Sequence, residues 1–124
     1  MSFQDRLEEF EKYLKKFKEV LSLPEDDIVR DSAIKRFELC FELSWKVIKD
    51  YLKEEGIFCR SPKSCFKEAF SIGLIESEEK WLDIIDDRNL SVYTYDEELA
   101  KELYSRLKNH YTAMEKLLKK LKNE

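Results

Sequence analysis

The sequence predicts an all-α fold: an antiparallel up-and-down bundle of about five helices with a four-helix-bundle core, in a single domain spanning residues 1–124. Only two glycines and two prolines occur in the chain, and strand-rich folds need more frequent turns than that. Apolar residues make up 43% of the sequence, which is enough for an ordinary core. They recur at steps of three and four, the spacing of one helix face.

The outer helices carry the clearest patterns. A first helix is predicted over residues 2–22, and a last helix is predicted to begin within residues 94–96. Thr94 with Glu97 fits a capping box for this last helix, and Asp96 is a rival N-cap. Each helix has one apolar stripe: Phe3, Leu7, Phe10, Leu14, Phe17 and Leu21 in the first, and Leu103, Leu107, His110, Met114, Leu117 and Leu121 in the last.

Three helices are predicted between them. The second, over residues 27–55, is apolar around so much of its circumference that a central position is expected, and Gly56 provides a left-handed stop. Ser61 followed by Pro62 predicts the start of a third helix that stops at Gly73. Ser77 caps a fourth helix, which ends within residues 88–90.

Composition narrows the function classes. With 27 acidic and 23 basic residues the net charge is −4, so nucleic-acid binding would need a local basic patch. We expect no signal peptide, and no apolar run in the sequence reaches membrane-spanning length. The three cysteines show no metal-ligand spacing, so we expect a cytoplasmic, reduced protein with Cys40 in the core and with no metal or cofactor.

The break between the fourth and fifth helices holds the most informative residues: Arg88, Asn89, Tyr93 and Tyr95. This run resembles the Arg-x4-His-x-Tyr signature of the HEPN families, small helical bundles linked to nucleotidyltransferases and RNA cleavage. Arg88 matches the arginine and Tyr95 matches the tyrosine. Tyr93 stands where those families have histidine.

Further segments in the same order resemble the nucleotidyltransferase substrate-binding proteins: residues 33–46, residues 66–75 followed by Lys80 and Trp81, and residues 88–96. The resemblance implies a homodimeric bundle that pairs with a separate small nucleotidyltransferase encoded nearby, with a nucleotide or RNA as ligand. In related HEPN pairs the helical protein is a ribonuclease toxin, and the transferase adds AMP to the tyrosine after the histidine. The matching residue here is Tyr95.

The junction residues each allow a second interpretation. Arg88 could bind a phosphate or bond helix-end carbonyls or Asp87, and Asn89 could orient a ligand or cap. Tyr93 could stack on a base or pack, but a free tyrosine, with a pKa of ~10, is a poor general base. Tyr95 could accept AMP, stack on a ligand, or act as a hydrophobic staple. The only histidine, His110, is expected in the core or a helix seam.

Two charged groups on the helices also allow two interpretations. Glu38, Glu42, Lys46 and Lys49 form a charged stripe on the second helix. The stripe either faces a ligand groove or the partner, or is a plain surface pair such as Glu42 with Lys46. Asp83, Asp86 and Asp87 share one helix face, which favours a solvated acidic surface over a Mg²⁺ site.

The sequence thus leads to a substrate-binding, non-catalytic subunit of a two-protein, toxin–antitoxin-like system. The alternatives are a HEPN-type ribonuclease toxin regulated by AMP addition at Tyr95, and a pure scaffold.

Overall fold

The computed structural model describes residues 1–123, and these fold into five α-helices without a strand. The helices are α1 (Phe3–Leu21), α2 (Asp27–Glu54), α3 (Pro62–Ser71), α4 (Glu78–Leu90) and α5 (Glu97–Asn123). A short 3₁₀ turn, Ser91–Tyr93, separates α4 from α5. The all-α prediction and the number of helices are confirmed; the sequence pattern did not reveal the 3₁₀ turn.

Helix α2 occupies the centre of the bundle and contacts each of the other four helices. Side-chain contacts between residues far apart in sequence show in which direction neighbouring helices run. Arg6, near the start of α1, bonds Asp50, near the end of α2, so these two helices run antiparallel. Helix α5 is antiparallel to α1, because Lys122 bonds Glu11 while the ring of Tyr111 packs on Phe17.

The apolar stripes predicted for the outer helices form the core. In α5, all six predicted stripe residues are buried, and in α1 only Phe3 stays partly exposed. Aromatic rings connect the layers: Phe17 packs against Phe37 of α2, and Phe66 of α3 lies between Phe41 and Trp81. One continuous core therefore holds all five helices.

The predicted helix stops are confirmed. Gly56 and Gly73 both have φ of 79°, the left-handed region in which a residue without a Cβ is favoured. The amide of Ile57 donates to the carbonyl of Leu52, and that of Leu74 donates to Ala69, which is the Schellman pattern. These two stops fix the corners that lead into and out of α3.

The start of α5 differs from one of the two predicted arrangements. Asp96 is the N-cap, with its carboxylate accepting from the amide of Leu99 at 3.3 Å. Thr94 does not form the capping box with Glu97, because its hydroxyl donates to the carbonyl of Ser91 instead. Because the hydroxyl of Thr94 is bonded to the 3₁₀ turn, Asp96 caps the helix instead.

The cysteines correct a second expectation. Cys59 and Cys65 are joined as a disulfide that links the loop before α3 to its first turn, so the prediction of fully reduced cysteines is wrong for this pair. Their spacing of six positions did not resemble a metal-ligand motif, so nothing in the sequence indicated that the two cysteines pair. They come together because the chain turns into α3 at Pro62. Cys40 is free and buried as predicted, and burial raises the pKa of its thiol to about 12.

Residues 1–123 provide neither a membrane-crossing helix nor a metal-binding cluster. No helix in this range combines the length and apolarity needed to cross a membrane. The same residues contain no group of three or more histidine, cysteine, aspartate or glutamate side chains placed to hold a metal ion.

Candidate functional site

Ser91 organises the junction between α4 and α5, and sequence reasoning did not single it out. Its side chain is buried. Its hydroxyl lies 2.7 Å from Oε2 of Glu38 and 2.6 Å from the carbonyl oxygen of Arg88. Because Ser91 belongs to the 3₁₀ turn and Glu38 to α2, this contact ties the junction to the central helix.

Arg88 extends from the last turn of α4 toward the same carboxylate. Its Nη1 lies 4.0 Å from Oε2 of Glu38, at the outer limit of an ion pair. Its Nε is buried and has no hydrogen-bond partner among the described residues. Glu38, rather than Asp87 or a helix-end carbonyl, is therefore the partner of Arg88, and the guanidinium keeps unused donors. An arginine with unused donors is suited to an anion.

The two tyrosines of the junction lie side by side on the surface. Their ring centroids are 6.3 Å apart in an edge-to-face arrangement. Tyr93 is 50% exposed and Tyr95 is 85% exposed, and the neighbouring Val92 is also exposed. Exposure of this degree shows that the hydrophobic-staple interpretation of Tyr95 is wrong. Asn89 is exposed on the preceding turn of α4.

The charged stripe of α2 divides into two parts. Glu38 belongs to the junction described above. Glu42 pairs with Lys46 at 3.7 Å and accepts a hydrogen bond from the indole of Trp45 at 3.3 Å. The structure therefore brings Glu38 to Arg88 and Ser91, whereas Glu42 and Lys46 have each other as partners further along α2.

Asp87 occupies a position that the sequence did not predict. It is buried, and Arg106 of α5 binds it through two hydrogen bonds of 2.8 and 2.9 Å. Nε2 of His110 lies 2.6 Å from the same carboxylate. The solvated acidic face is thus confirmed for Asp83 and Asp86, which are exposed, and is wrong for Asp87.

His110 is buried as predicted, and its ring stacks on Phe37 with centroids 5.5 Å apart. Arg106 and His110 lie one helical turn apart on α5. This spacing on an otherwise apolar stripe is the sequence signal that could have indicated a buried carboxylate between them.

The pKa values of this cluster follow from burial and hydrogen bonding. Burial lowers the pKa of His110, although the hydrogen bond to Asp87 opposes that change. For Asp87, burial alone would raise the pKa, but the hydrogen bonds from Arg106 and His110 outweigh it and hold the pKa below its usual value. The arrangement favours a carboxylate facing a neutral imidazole.

Comparison with known proteins places this geometry in a family. A family model described as "nucleotidyltransferase substrate binding protein like" matches residues 3–123. The chain belongs to this family. The match covers almost the whole bundle, including the junction and the cluster around Asp87.

A curated relative supports the assignment. The chain is 31% identical over 106 residues to a Haemophilus influenzae protein described as "Probable ribonuclease HepT", covering 82% of this chain and 72% of that protein.

Three solved structures share the fold. A Thermus thermophilus protein is 39% identical with a TM-score of 0.86, covering 90% of this chain and 98% of its own. A Haemophilus influenzae structure, reported as revealing the fold of a substrate binding domain of a nucleotidyltransferase, is 25% identical with a TM-score of 0.73. The match covers 97% of this chain and 96% of that one. The third structure is a mutant of the toxin–antitoxin MntA–HpeT, with 16% identity and a TM-score of 0.80. The match covers 98% of each chain, and at this identity it shows only that the fold is shared.

Proposed function

We propose that this chain is a substrate-binding, non-catalytic subunit that pairs with a separate small nucleotidyltransferase encoded nearby, as in toxin–antitoxin systems. The family assignment supports a role beside a nucleotidyltransferase. The Haemophilus influenzae structure described as a substrate binding domain, which the chain covers almost completely, points to the same role.

The observation that carries the non-catalytic assignment is the lack of an available imidazole at the junction. Tyr93 stands at the histidine position of the HEPN signature, and at a pKa of ~10 only ~0.1% of a free phenol is ionised at pH 7, which makes it a poor general base. The only histidine, His110, is buried, bonded to Asp87 and stacked on Phe37. Proton transfer near neutrality therefore has no suitable group at the junction.

The junction nevertheless has the features of a binding surface. The side chain of Arg88 is 29% exposed, and its Nη1 lies 4.0 Å from Glu38, so its terminal donors suit a phosphate or a carboxylate of the partner. Asn89 adds an exposed amide beside it, and the exposed rings of Tyr93 and Tyr95 offer apolar and hydrogen-bonding surface. The cluster of Val92, Tyr93 and Tyr95 is also suited to contact with a second copy of the chain, which is the homodimer that the family resemblance implies.

Co-purification tests this proposal. The chain and the small nucleotidyltransferase encoded beside it should elute as one complex at micromolar concentration. Arg88→Ala should weaken the complex or its nucleotide binding by about tenfold, as expected for loss of a charge-assisted contact. Arg60→Ala, which changes an exposed arginine in the loop before α3, is the matched control. Failure to form any stable complex would rule out this role.

A second candidate function is a HEPN-type ribonuclease toxin that the transferase silences by adding AMP to Tyr95. Two observations favour it: the relative described as a probable ribonuclease, and the 85% exposure of Tyr95, which leaves its hydroxyl open to a partner enzyme.

Incubation with RNA separates the two candidates. Cleavage that disappears in Arg88→Ala and Tyr93→Phe would establish an enzyme, whereas intact RNA would remove this candidate. Mass spectrometry after incubation with the transferase and ATP gives the independent readout, with a mass increment of AMP on the wild-type chain and none on Tyr95→Phe. Tyr93→Phe is the control for modification at the neighbouring ring.

A further inference from the structure

A cavity opens at the end of α4 that lies farthest from the junction. It has a volume of about 330 Å³ and lies between the start of α4 and the C-terminal half of α5. Ser77 at its rim and Arg88 at the junction are 11 positions apart along α4, a rise of about 16 Å at ~1.5 Å per residue. Its volume falls within the range of small-molecule pockets, roughly 300–1,000 Å³.

The walls of the cavity concentrate positive charge. Lys80 of α4 and Lys116 and Lys120 of α5 all line it, and Glu76 is the only carboxylate among the lining residues. Glu76 pairs with Lys116 at 3.7 Å at the exposed rim. Three ammonium groups against one carboxylate give a local positive excess in a chain whose net charge is −4. Such a recess attracts anions even when the whole protein does not.

Lys80 differs from the other two lysines because it is partly buried. Burial lowers the pKa of its ammonium group, against the attraction of Asp83 and Asp87. No ion pair within 4.0 Å compensates it among residues 1–123. Ser77 also lines the cavity as the N-cap of α4, where the helix dipole is positive. A bound anion would offset the cost of burying this ammonium.

The remaining residues that line the cavity indicate the chemistry of the part of the ligand beyond its anionic group. Buried Leu74, Trp81 and Leu117 provide an apolar floor, and Asn109 and Thr112 place hydrogen-bonding groups beside it. Inorganic phosphate would leave this floor unused. An organic molecule with a phosphate at one end and a body that mixes apolar and polar surface would use both parts of the cavity.

A neighbouring cavity limits the length of that ligand. It shares Lys80 and Asn109 with the first cavity but is also lined by Asp83, Asp86, Asp87 and Arg106. Arg106 pairs with Asp87. The exposed carboxylates of Asp83 and Asp86 would repel a polyanionic strand that continued along the groove between α4 and α5. The arrangement therefore favours a single small ligand over an RNA chain.

We propose that this cavity, where Lys80, Lys116 and Lys120 converge on an apolar floor, is a binding site for a nucleoside phosphate. The inference rests on the cavity itself and requires neither the transferase partner nor a ligand at Arg88.

Calorimetric titration of the purified full chain with ATP, AMP, adenosine and inorganic phosphate tests the proposal. We expect ATP to bind more tightly than AMP, adenosine and phosphate to bind most weakly, and the affinity for ATP to fall as salt rises. Lys80→Met, which keeps the alkyl stem, should weaken ATP binding by about tenfold or more. Glu76→Gln should strengthen ATP binding, because it releases Lys116 from its pair.

One variant serves as the control for the titration. Lys108→Met changes an exposed lysine of α5 outside the cavity and should leave ATP affinity unchanged. If Lys80→Met lowers the melting temperature, Lys116→Met with Lys120→Met gives the same test through two exposed residues.

The proposal is overturned if ATP does not bind at millimolar concentration, or if binding survives both sets of lysine substitutions. If ATP binding were lost in Arg88→Ala but not in the lysine variants, the nucleotide would bind at the junction, and the cavity proposal would be overturned. Complex formation with the transferase is a separate measurement, so failure of the cavity site and failure of the proposed function are distinguishable.

Discussion

Asp87 and Arg88 are consecutive residues of α4, but their surroundings differ. Asp87 faces α5, where two hydrogen bonds from Arg106 and one contact with His110 satisfy it. Arg88 faces α2, where Glu38 is 4.0 Å away and Nε has no partner among the described residues. A fully paired buried charge holds two helices together, whereas a partly paired charge is available to a ligand. The comparison separates a structural cluster from a candidate site only one residue away.

The largest effect is expected on the structural side of this comparison. Asp87→Ala leaves the buried ring of His110 without its hydrogen-bond partner, whereas the side chain of Arg106 is 43% exposed and is solvated by water, so the free energy of unfolding should fall by about 2 kcal/mol, as for one unsatisfied buried polar group. Urea denaturation measures this change. Asp83→Ala, at an exposed site on the same helix, should change stability by less than about 0.5 kcal/mol. Equal effects of the two substitutions would show that Asp87 does not anchor α5.

The same cluster predicts how stability depends on pH. The pKa of His110 is lowered from 6.5 by burial, so below about pH 6.5 the unfolded chain binds a proton that the folded chain does not. Stability should therefore be greatest above pH 6.5 and decrease as the pH falls toward the pKa of folded His110. Asp87, whose pKa lies below 3.8, adds a further loss in stronger acid.

Unfolding free energy measured from pH 8 to pH 3 tests this dependence. In His110→Phe the decrease just below pH 6.5 should disappear, while the loss at lower pH caused by Asp87 remains. The positive charges of Lys80 and Arg106 also lower the pKa of His110, while the charge of Asp87 raises it. An unchanged slope in the variant would assign the decrease to other groups.

A smaller effect is expected on the candidate-site side. Ser91→Ala removes the hydroxyl that contacts both Glu38 and the end of α4, so the free energy of unfolding should fall by about 1 kcal/mol. Because Glu38 would then lose its fixed position, binding that depends on Arg88 should weaken as well. Ser105→Ala, whose hydroxyl bonds only a carbonyl of its own helix, is the matched control for both readouts.

The sequence predicted what depends on neighbours within one helix. The stripes of α1 and α5 were readable because their spacing follows the helical period, and the glycine stops because φ above zero has few alternatives. The buried state of Asp87 was not readable, since its partners Arg106 and His110 lie 19 and 23 positions away on another helix. In the sequence, Asp87 shares a helix face with Asp83 and Asp86, so nothing distinguished it from an exposed aspartate.

The candidate site was predicted to a similar extent. A family signature located Arg88, Asn89, Tyr93 and Tyr95, but not what surrounds them. Ser91 and Glu38 are 53 positions apart, so only the packing of α4 on α2 brings them together. The 3₁₀ turn that exposes the two tyrosines depends on the hydroxyl of Thr94, which sequence rules assign equally well to a capping box.

The smallest change in stability is expected at the two exposed rings. Because Tyr95 is 85% and Tyr93 is 50% exposed, their substitution by alanine should change the free energy of unfolding by no more than about 0.5 kcal/mol each. If the tyrosines serve recognition, the same variants should weaken association with the transferase or with a second copy of the chain. Analytical ultracentrifugation beside urea denaturation separates the two effects. A large loss of stability with unchanged association would mean that the tyrosines stabilise the fold. The contrast between a structural Asp87 and a binding Arg88 would then not apply to the rest of the junction.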